Sequence, residues 1–397
     1  MPGSLSPLQY FFDLKNCLSQ IGRSSQKMHM ALKRNAVLLL FAWMAIGSVS
    51  GQSDASDSSG KFIRKSSLIP IPIVYYTPET RWAGGLAALL TFRTRGQSDE
   101  IRPSQITLGF AYTQEKQVLL YLPFQFFSKD ESWQTYGELG YYKYVYQYFG
   151  IGNDTRKADE ESYDVTYPRL RVNVLKEIAT HHYLGFRYWW DDYQIKSLMK
   201  GGLLEQNHTT GSRGGTISGA GLVWNFDSRD QLFYPRNGVW TEVELFFNRK
   251  ELGSDFNFFR FSIDATTYLS KKPGGVWALN GWLVANSGDV PFQQLAFIGG
   301  PKKMRGYFEG RFRDKNLWTL QAEYRMKIRR RFGAVVFAAA GAVGPELHRL
   351  FSQQPHATFG AGLRFMLSTK DKINLRLDLA GNDMGAFFPY LTVKEAF

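Results

Sequence analysis

From about residue 66 onward the chain alternates in polarity with a period of two, in segments of roughly ten residues closed by polar or glycine-containing breaks. Gln105 to Thr113 is one such segment. Gly238 to Phe247 is a cleaner one: Val239, Thr241, Val243 and Leu245 fall on one face, Trp240, Glu242, Glu244 and Phe246 on the other. The segments are rich in aromatic and β-branched residues, which favours strands over helices. Alternation over about ten residues matches a strand tilted across a bilayer. Lipid offers no water to an open sheet edge, so strands of this kind must close into a barrel.

Fifteen segments fit, at 82–94, 104–113, 117–127, 132–148, 163–175, 180–191, 216–227, 238–249, 257–269, 275–287, 315–327, 333–344, 357–368, 373–381 and 386–397. A barrel with both ends in the periplasm needs an even number. The long connections are 149–162, 192–215, 288–314 and 345–356; short ones include 128–131, 176–179, 270–274, 328–332 and 369–372. Counting back from a periplasmic C-terminus puts every long loop outside and each of these short turns inside. One more strand must then precede residue 82, and 66–76 is the candidate, with an extended periplasmic lead-in as the alternative. The fold predicted is all-β: a closed antiparallel transmembrane β-barrel of sixteen strands over 66–397.

Pro70 and Pro72 lie in that first strand. Proline has no N–H to give a ladder, so the seam between first and last strands is expected to pair sparsely. Tyr141, Tyr142, Tyr144, Tyr146, Tyr148 and Phe149, with Trp189 and Trp190, crowd the outer ends of two strands. Amphipathic rings favour the headgroup level, which predicts a girdle; a carbohydrate-stacking platform is the alternative.

Composition narrows the picture. Aromatics make up 16% of the 397 residues, yet no stretch after residue 50 approaches the ~20 apolar residues of a spanning helix. That excludes a helical inner-membrane protein. The net charge of +13 comes from Lys and Arg scattered through the loops, without a basic helix or nucleic-acid motif, so nucleic acid is not an expected partner. Lys33 and Arg34, the apolar run Ala36 to Ile46 and the small residues Gly47 to Gly51 read as a signal peptide. Initiation is placed at Met28 or Met30, so 1–51 divides into an upstream extension and the export signal. The one cysteine, Cys17, lies in the extension, which leaves the exported chain without disulfides or cysteine-ligated metals. No metal or cofactor is expected. Residues 52–65 read as a disordered periplasmic lead-in.

The longest connection contains Gly299-Gly300-Pro301-Lys302-Lys303-Met304-Arg305-Gly306-Tyr307-Phe308-Glu309-Gly310-Arg311-Phe312-Arg313-Asp314, and the next strand carries Glu323-Tyr324-Arg325. With the turn Asp227-Ser228-Arg229-Asp230 and the stretch Tyr148 to Asn153, this resembles the bacterial surface antigen family, the barrels of BamA- and TamA-like outer-membrane assembly factors. The resemblance covers roughly 66–397. It implies that the Arg305-Gly306-Tyr307 tip folds back into the lumen and that Arg305 pairs with Glu323. It also implies a second acid in a Phe-x-Asp-x-Gly pattern, but Phe337-Ala338-Ala339-Ala340-Gly341 has alanine there, so a looser lock resting on Glu323 alone is expected. The periplasmic POTRA domains of the family have no room before residue 66, so separate periplasmic subunits are expected to capture substrate. Phe397 matches the aromatic C-terminal signal of such barrels, although Glu395 interrupts the alternation before it.

The function expected is non-enzymatic insertion or translocation of outer-membrane proteins, in an integral outer-membrane protein whose partners are lipid, lipopolysaccharide and unfolded barrel proteins. A diffusion channel or export pore gated by the folded loop is the second reading. A lipid-modifying enzyme is the third; it needs a serine–histidine pair at the lipid edge, and His181, His182, His208, His348 and His356 show no catalytic context.

Overall fold

The computed structural model of the chain describes residues 67–93, 97, 103–206, 209–272, 275–369 and 372–397. The expected signal peptide, Cys17 and the lead-in 52–65 lie outside the described residues. The barrel opens with β1 (Ser67–Thr77), β2 (Arg81–Phe92), β3 (Ser104–Thr113), β4 (Val118–Phe127) and β5 (Trp133–Tyr148). It continues through β6 (Glu161–Ala179), β7 (His182–Ser197), β8 (Gly215–Asp227), β9 (Gly238–Asn248), β10 (Phe258–Lys272) and β11 (Gly275–Gly288). Two short strands, β12 (Ala296–Ile298) and β13 (Phe312–Asp314), pair with each other inside the longest connection. The wall resumes with β14 (Asn316–Arg329), β15 (Phe332–Gly344), β16 (His356–Ser368), β17 (Ile373–Asn382) and β18 (Phe387–Val393). Apart from β12 and β13, every strand belongs to one closed antiparallel barrel of sixteen, in which β11 neighbours β14 and β18 meets β1. The sequence-derived strands all recur, including the proline-bearing first one.

Period-two alternation sorts the wall as lipid requires. Leu86, Phe186, Leu320, Phe359, Leu363 and Leu379 point outward and exposed, while Glu323, Arg325, Arg364 and Asp378 point inward and are buried. Strand order fixes the ends of the barrel. The connections 149–160, 289–315 and 345–355, with the described residues of the connection after β7, emerge on one side, and the turns 128–132, 180–181 and 330–331 on the other. Exposed aromatics ring both ends, with Trp82, Tyr112 and Phe387 on the long-loop side and Trp133, Trp277 and Phe332 opposite.

The girdle expected from the tyrosine run is corrected. Tyr142, Tyr144 and Tyr148 are buried inside, and Tyr146 packs with them; Tyr141 alone of that strand's tyrosines is exposed. Residues two apart share a face, so the even-numbered rings must travel together, and here they face the lumen. With Tyr163, Tyr167, Tyr193, Phe246 and Phe292 they form an aromatic core in its outward half. Phe149 is buried as well.

The last strand is shorter than expected, ending at Val393 rather than 397. Lys394 adopts a left-handed conformation (φ 72°), and the chain turns inward. Phe397 packs beside Tyr268, Val276 and Ala278 on the opposite wall. Arg325 Nη2 donates to the Phe397 main-chain oxygen at 2.6 Å. Val393 is exposed to the lipid side; had the ladder continued, alternation would place Glu395 in lipid, where an ionised carboxylate is costly. Inside, Glu395 accepts from Arg364 Nε at 2.8 Å and Asn374 Nδ2 at 2.7 Å.

Strand parity makes the orientation testable. With Cys17→Ser as background, single cysteines at Glu205 and Arg349 are expected to react with an impermeant maleimide on intact cells, and one at Arg331 only after the outer membrane is breached. Labelling of the cysteine at 331 on intact cells, with 205 protected, would invert the topology.

Candidate functional site

The connection between β11 and β14 folds back against inward-facing side chains of the wall. The β12–β13 hairpin seats Ala296, Ile298, Met304, Tyr307 and Phe312 against Val284, Leu317 and Val343. This apolar contact brings the loop tip to charged strand residues beneath it. Arg305 is 2% exposed. Its Nη2 donates to Glu323 on β14 and its Nη1 to Asp378 on β17, while the guanidinium lies 3.7 Å over the Phe337 ring on β15.

The expected partner Glu323 is therefore in contact with Arg305, but the expectation of a single acid is corrected. Ala339 supplies no carboxylate, and Asp378, three strands along from β14, supplies it instead. Each acid serves further cations. Arg325 Nε donates to Glu323 at 2.9 Å and Arg364 Nη1 to Asp378 at 2.6 Å, with Arg376 Nε 3.4 Å from Asp378. Gly362 makes room for this cluster: a Cβ there would stand 2.0 Å from Asp378 Oδ1.

Main-chain contacts hold the tip equally closely. Gly306 takes φ 114°, a conformation natural to glycine. Its N–H donates to Tyr390 Oη at 3.0 Å, and its carbonyl accepts from Asn382 Nδ2 at 2.6 Å. Tyr307 donates its hydroxyl to Asp383. Arg376 Nη2 reaches the Pro301 carbonyl at 2.8 Å. The motif stretch before β6 joins the assembly, since Gly152 N donates to Arg313 O at 2.8 Å and Asn153 Oδ1 accepts from Val343 N at 3.0 Å.

The loop also touches both sides of the seam. Phe308 meets Phe388 of β18 edge-on at 5.1 Å, and Glu309 N donates to Glu79 Oε1 in the β1–β2 turn at 2.9 Å. Burial and the neighbouring Glu79 push the Glu309 carboxyl up to about 7, against smaller opposing effects of Arg313, Arg169 and Lys302. Burial also raises Glu79. Pro70 and Pro72 stand opposite Ala88 and Leu86 of β2, and neither has a partner in β18.

Histidine offers no catalytic arrangement among the described residues. His356 stacks on Phe312 at 3.7 Å, with Nε2 2.9 Å from the Asn153 carbonyl and Nδ1 3.5 Å from Asp383. His181 and His182 stand at the β6–β7 turn beside Phe226.

Two expectations follow. Removing one member of a buried ion pair costs about 3–5 kcal/mol, less where water enters. Arg305→Ala, Glu323→Ala and Asp378→Ala should each raise protease cleavage of 299–314 and lower the temperature of heat-modifiable gel migration. Double-mutant cycles should couple Arg305 to both acids by roughly 1 kcal/mol or more; coupling to Glu323 alone would remove Asp378 from the lock. The second concerns pH. An acid whose folded pKa is raised costs nothing below its ordinary value of 4.5 and its full penalty above the folded value near 7. Loop protection should thus weaken as pH rises through that window, and Glu309→Gln should flatten the dependence; an unchanged profile in Glu309→Gln would dismiss the carboxyl as its source.

Comparison with known proteins agrees with this geometry. No curated protein sequence matches the chain. Among solved structures, the barrel is similar to BamA from Haemophilus ducreyi lacking POTRA domains 1–3, with a TM-score of 0.55 at 15% identity over 83% of this chain and 70% of that one. CdiB from Acinetobacter baumannii gives 0.54 at 11%, over 83% and 59%, and CdiB from Escherichia coli 0.52 at 10%, over 83% and 62%. The chain thus spans about three fifths of either CdiB. The Omp85 superfamily domain matches residues 103–380, and on that match this chain belongs to the Omp85 superfamily and is an integral β-barrel of the outer membrane.

Proposed function

We infer that the barrel inserts or translocates outer-membrane proteins without enzymatic chemistry, by parting β1 from β18 so that an unfolded strand can pair there. The observation that carries this reading is the unequal pairing at that seam. β1 is in register with β2 from Ser67↔Thr91 to Thr77↔Arg81, whereas among the described residues its one register pair with β18 is Tyr76↔Leu391. Pro70 and Pro72 cannot donate along the remainder, and the residues that could have faced them turn into the lumen. Ladder hydrogen bonds and cross-strand contacts hold strands together, so this junction needs the least energy to part. The partners this implies are unfolded outer-membrane proteins, with lipid and lipopolysaccharide around the wall and separate periplasmic subunits to deliver substrate. BamA and CdiB, to which the fold is similar, make a protein substrate the first to test.

A channel reading fits less well. The outward half of the lumen is narrowed by the aromatic core and by the loop pinned through Arg305, so a wide diffusion path requires the loop to leave. A disulfide between Tyr76→Cys and Leu391→Cys, in the Cys17→Ser background, should abolish assembly of a reporter barrel into proteoliposomes, and reduction should restore it. Full activity of the oxidised, quantitatively crosslinked protein would eliminate seam opening, and single-channel conductance would then decide for a pore.

A further inference from the structure

Beneath the folded loop, in the outward half of the lumen, lies a cavity of about 300 Å³, at the small end of the range for ligand sites. Its walls come from β5, β6, β7, β10, β11 and the loop, and four of its lining residues are arginines: Arg169, Arg171, Arg260 and Arg313. Arg169 and Arg171 share Asp191, at 2.9 and 2.8 Å. The other two have no carboxylate partner among the described residues. Arg260 donates from Nη1 to the Gln294 carbonyl at 3.2 Å, and its Nε is buried with no partner. Arg313 is 4% exposed and donates to the carbonyls of Gly310, Phe292 and Gln147, each at 3.4 Å, with the Tyr163 hydroxyl also beside it. By contrast, Arg187, Arg305, Arg325 and Arg364 each meet a carboxylate elsewhere in the lumen.

The one carboxylate on the cavity wall is Glu309, whose burial holds it toward the neutral form. A cavity lined by guanidinium groups without ion-pair partners favours an anion, because a buried charge without a counter-charge is costly. The remaining wall narrows the class. Tyr167, Trp189, Tyr193 and Trp282 present ring surface, which suits the C–H face of a sugar better than a small inorganic ion. Gln293 lines the cavity with a buried Oε1 that has no partner, an acceptor for a hydroxyl that a bare anion lacks.

We propose that this cavity is a binding site for one anionic sugar unit, a hexuronate or a sugar phosphate, held by Arg260 and Arg313 on its charged group and by Gln293 and the aromatic wall on its ring. Arg313 and Gln293 belong to the loop between β11 and β14, so the occupant also ties that loop to β6 and β10.

The test uses the full chain folded in detergent, titrated by calorimetry and by the fluorescence of Trp189 and Trp282. Galacturonate, glucose 6-phosphate, neutral glucose and inorganic phosphate are the probes. At least one anionic sugar should saturate, with glucose and inorganic phosphate roughly tenfold weaker or more, since charge-assisted hydrogen bonds are the strong ones. Preference for galacturonate assigns a carboxylate ligand, and preference for glucose 6-phosphate a phosphate. Arg260→Gln and Arg313→Gln, shown to be folded by heat-modifiable migration, should each weaken binding roughly tenfold, while the exposed control Arg349→Gln should not. The proposal is overturned if neither anionic sugar binds, if inorganic phosphate binds as tightly as the sugars, or if folded Arg260→Gln and Arg313→Gln bind as the parent does. Should both variants fail to fold, the order of the four probes on the parent protein still decides.

Discussion

The guanidinium of Arg305, enclosed between Glu323 and Asp378, is the interaction on which the inner architecture depends. A charge taken out of water must be matched and its hydrogen bonds filled, or its burial opposes folding. Matching that charge recruits β14 and β17 directly. Through Arg325 and Arg364 it recruits β16 and the C-terminal residues as well. The loop is thus one member of a charge network built into the wall. The apolar β12–β13 hairpin supplies burial, and the ion cluster supplies register, since a guanidinium can meet two acids on different strands in few positions.

Legibility in the sequence followed the strength of each physical signal. The sixteen strands were readable because a lipid-facing wall enforces period-two alternation, and loop parity then required a strand at Ser67–Thr77 despite its prolines. Arg305, Gly306, Tyr307 and Glu323 were readable through motif resemblance. Asp378 was not, because nothing local links it to a loop 73 residues away. Its signal was present in weaker form: in Arg376-Leu377-Asp378-Leu379 the charges share one face and the leucines the other, the pattern of a lumen wall. The tyrosine run misled for a related reason. Alternation shows that Tyr142, Tyr144, Tyr146 and Tyr148 lie together, but rings suit both a headgroup girdle and a packed lumen. Their neighbours decide: exposed Tyr141 and Lys143 occupy the opposite face.

The aromatic core and the arginine cavity belong to the same outward half of the lumen, and one consequence is electrostatic. Near β14 to β18 the cations and acids interlock, whereas near β6 to β10 the guanidinium groups of Arg260 and Arg313 donate to main-chain carbonyls and form no ion pair among the described residues. Aromatic rings partly compensate at Arg313, which lies 5.3 Å from the Tyr148 ring centre and 5.9 Å from that of Phe292. A quadrupole is a weaker partner than a carboxylate. The two regions therefore differ in kind, one closed by its own side chains and the other leaving positive charge to be met from outside.

The C-terminal turn joins the lumen to the seam. Continuing the β1–β18 register from Tyr76↔Leu391 would set position 395 opposite Pro72 and position 397 opposite Pro70. Both sides of that hypothetical ladder are unfavourable: the prolines give no N–H, and Glu395 would point into lipid. Turning inward at Lys394 removes both costs together, satisfying Glu395 with Arg364 and seating Phe397 under Arg325. The weak junction is thus not a defect left over from closing the barrel. It is what remains once the charge pattern of the last strand has been satisfied on the inside, and the residues that part the wall are the ones that complete the lumen network.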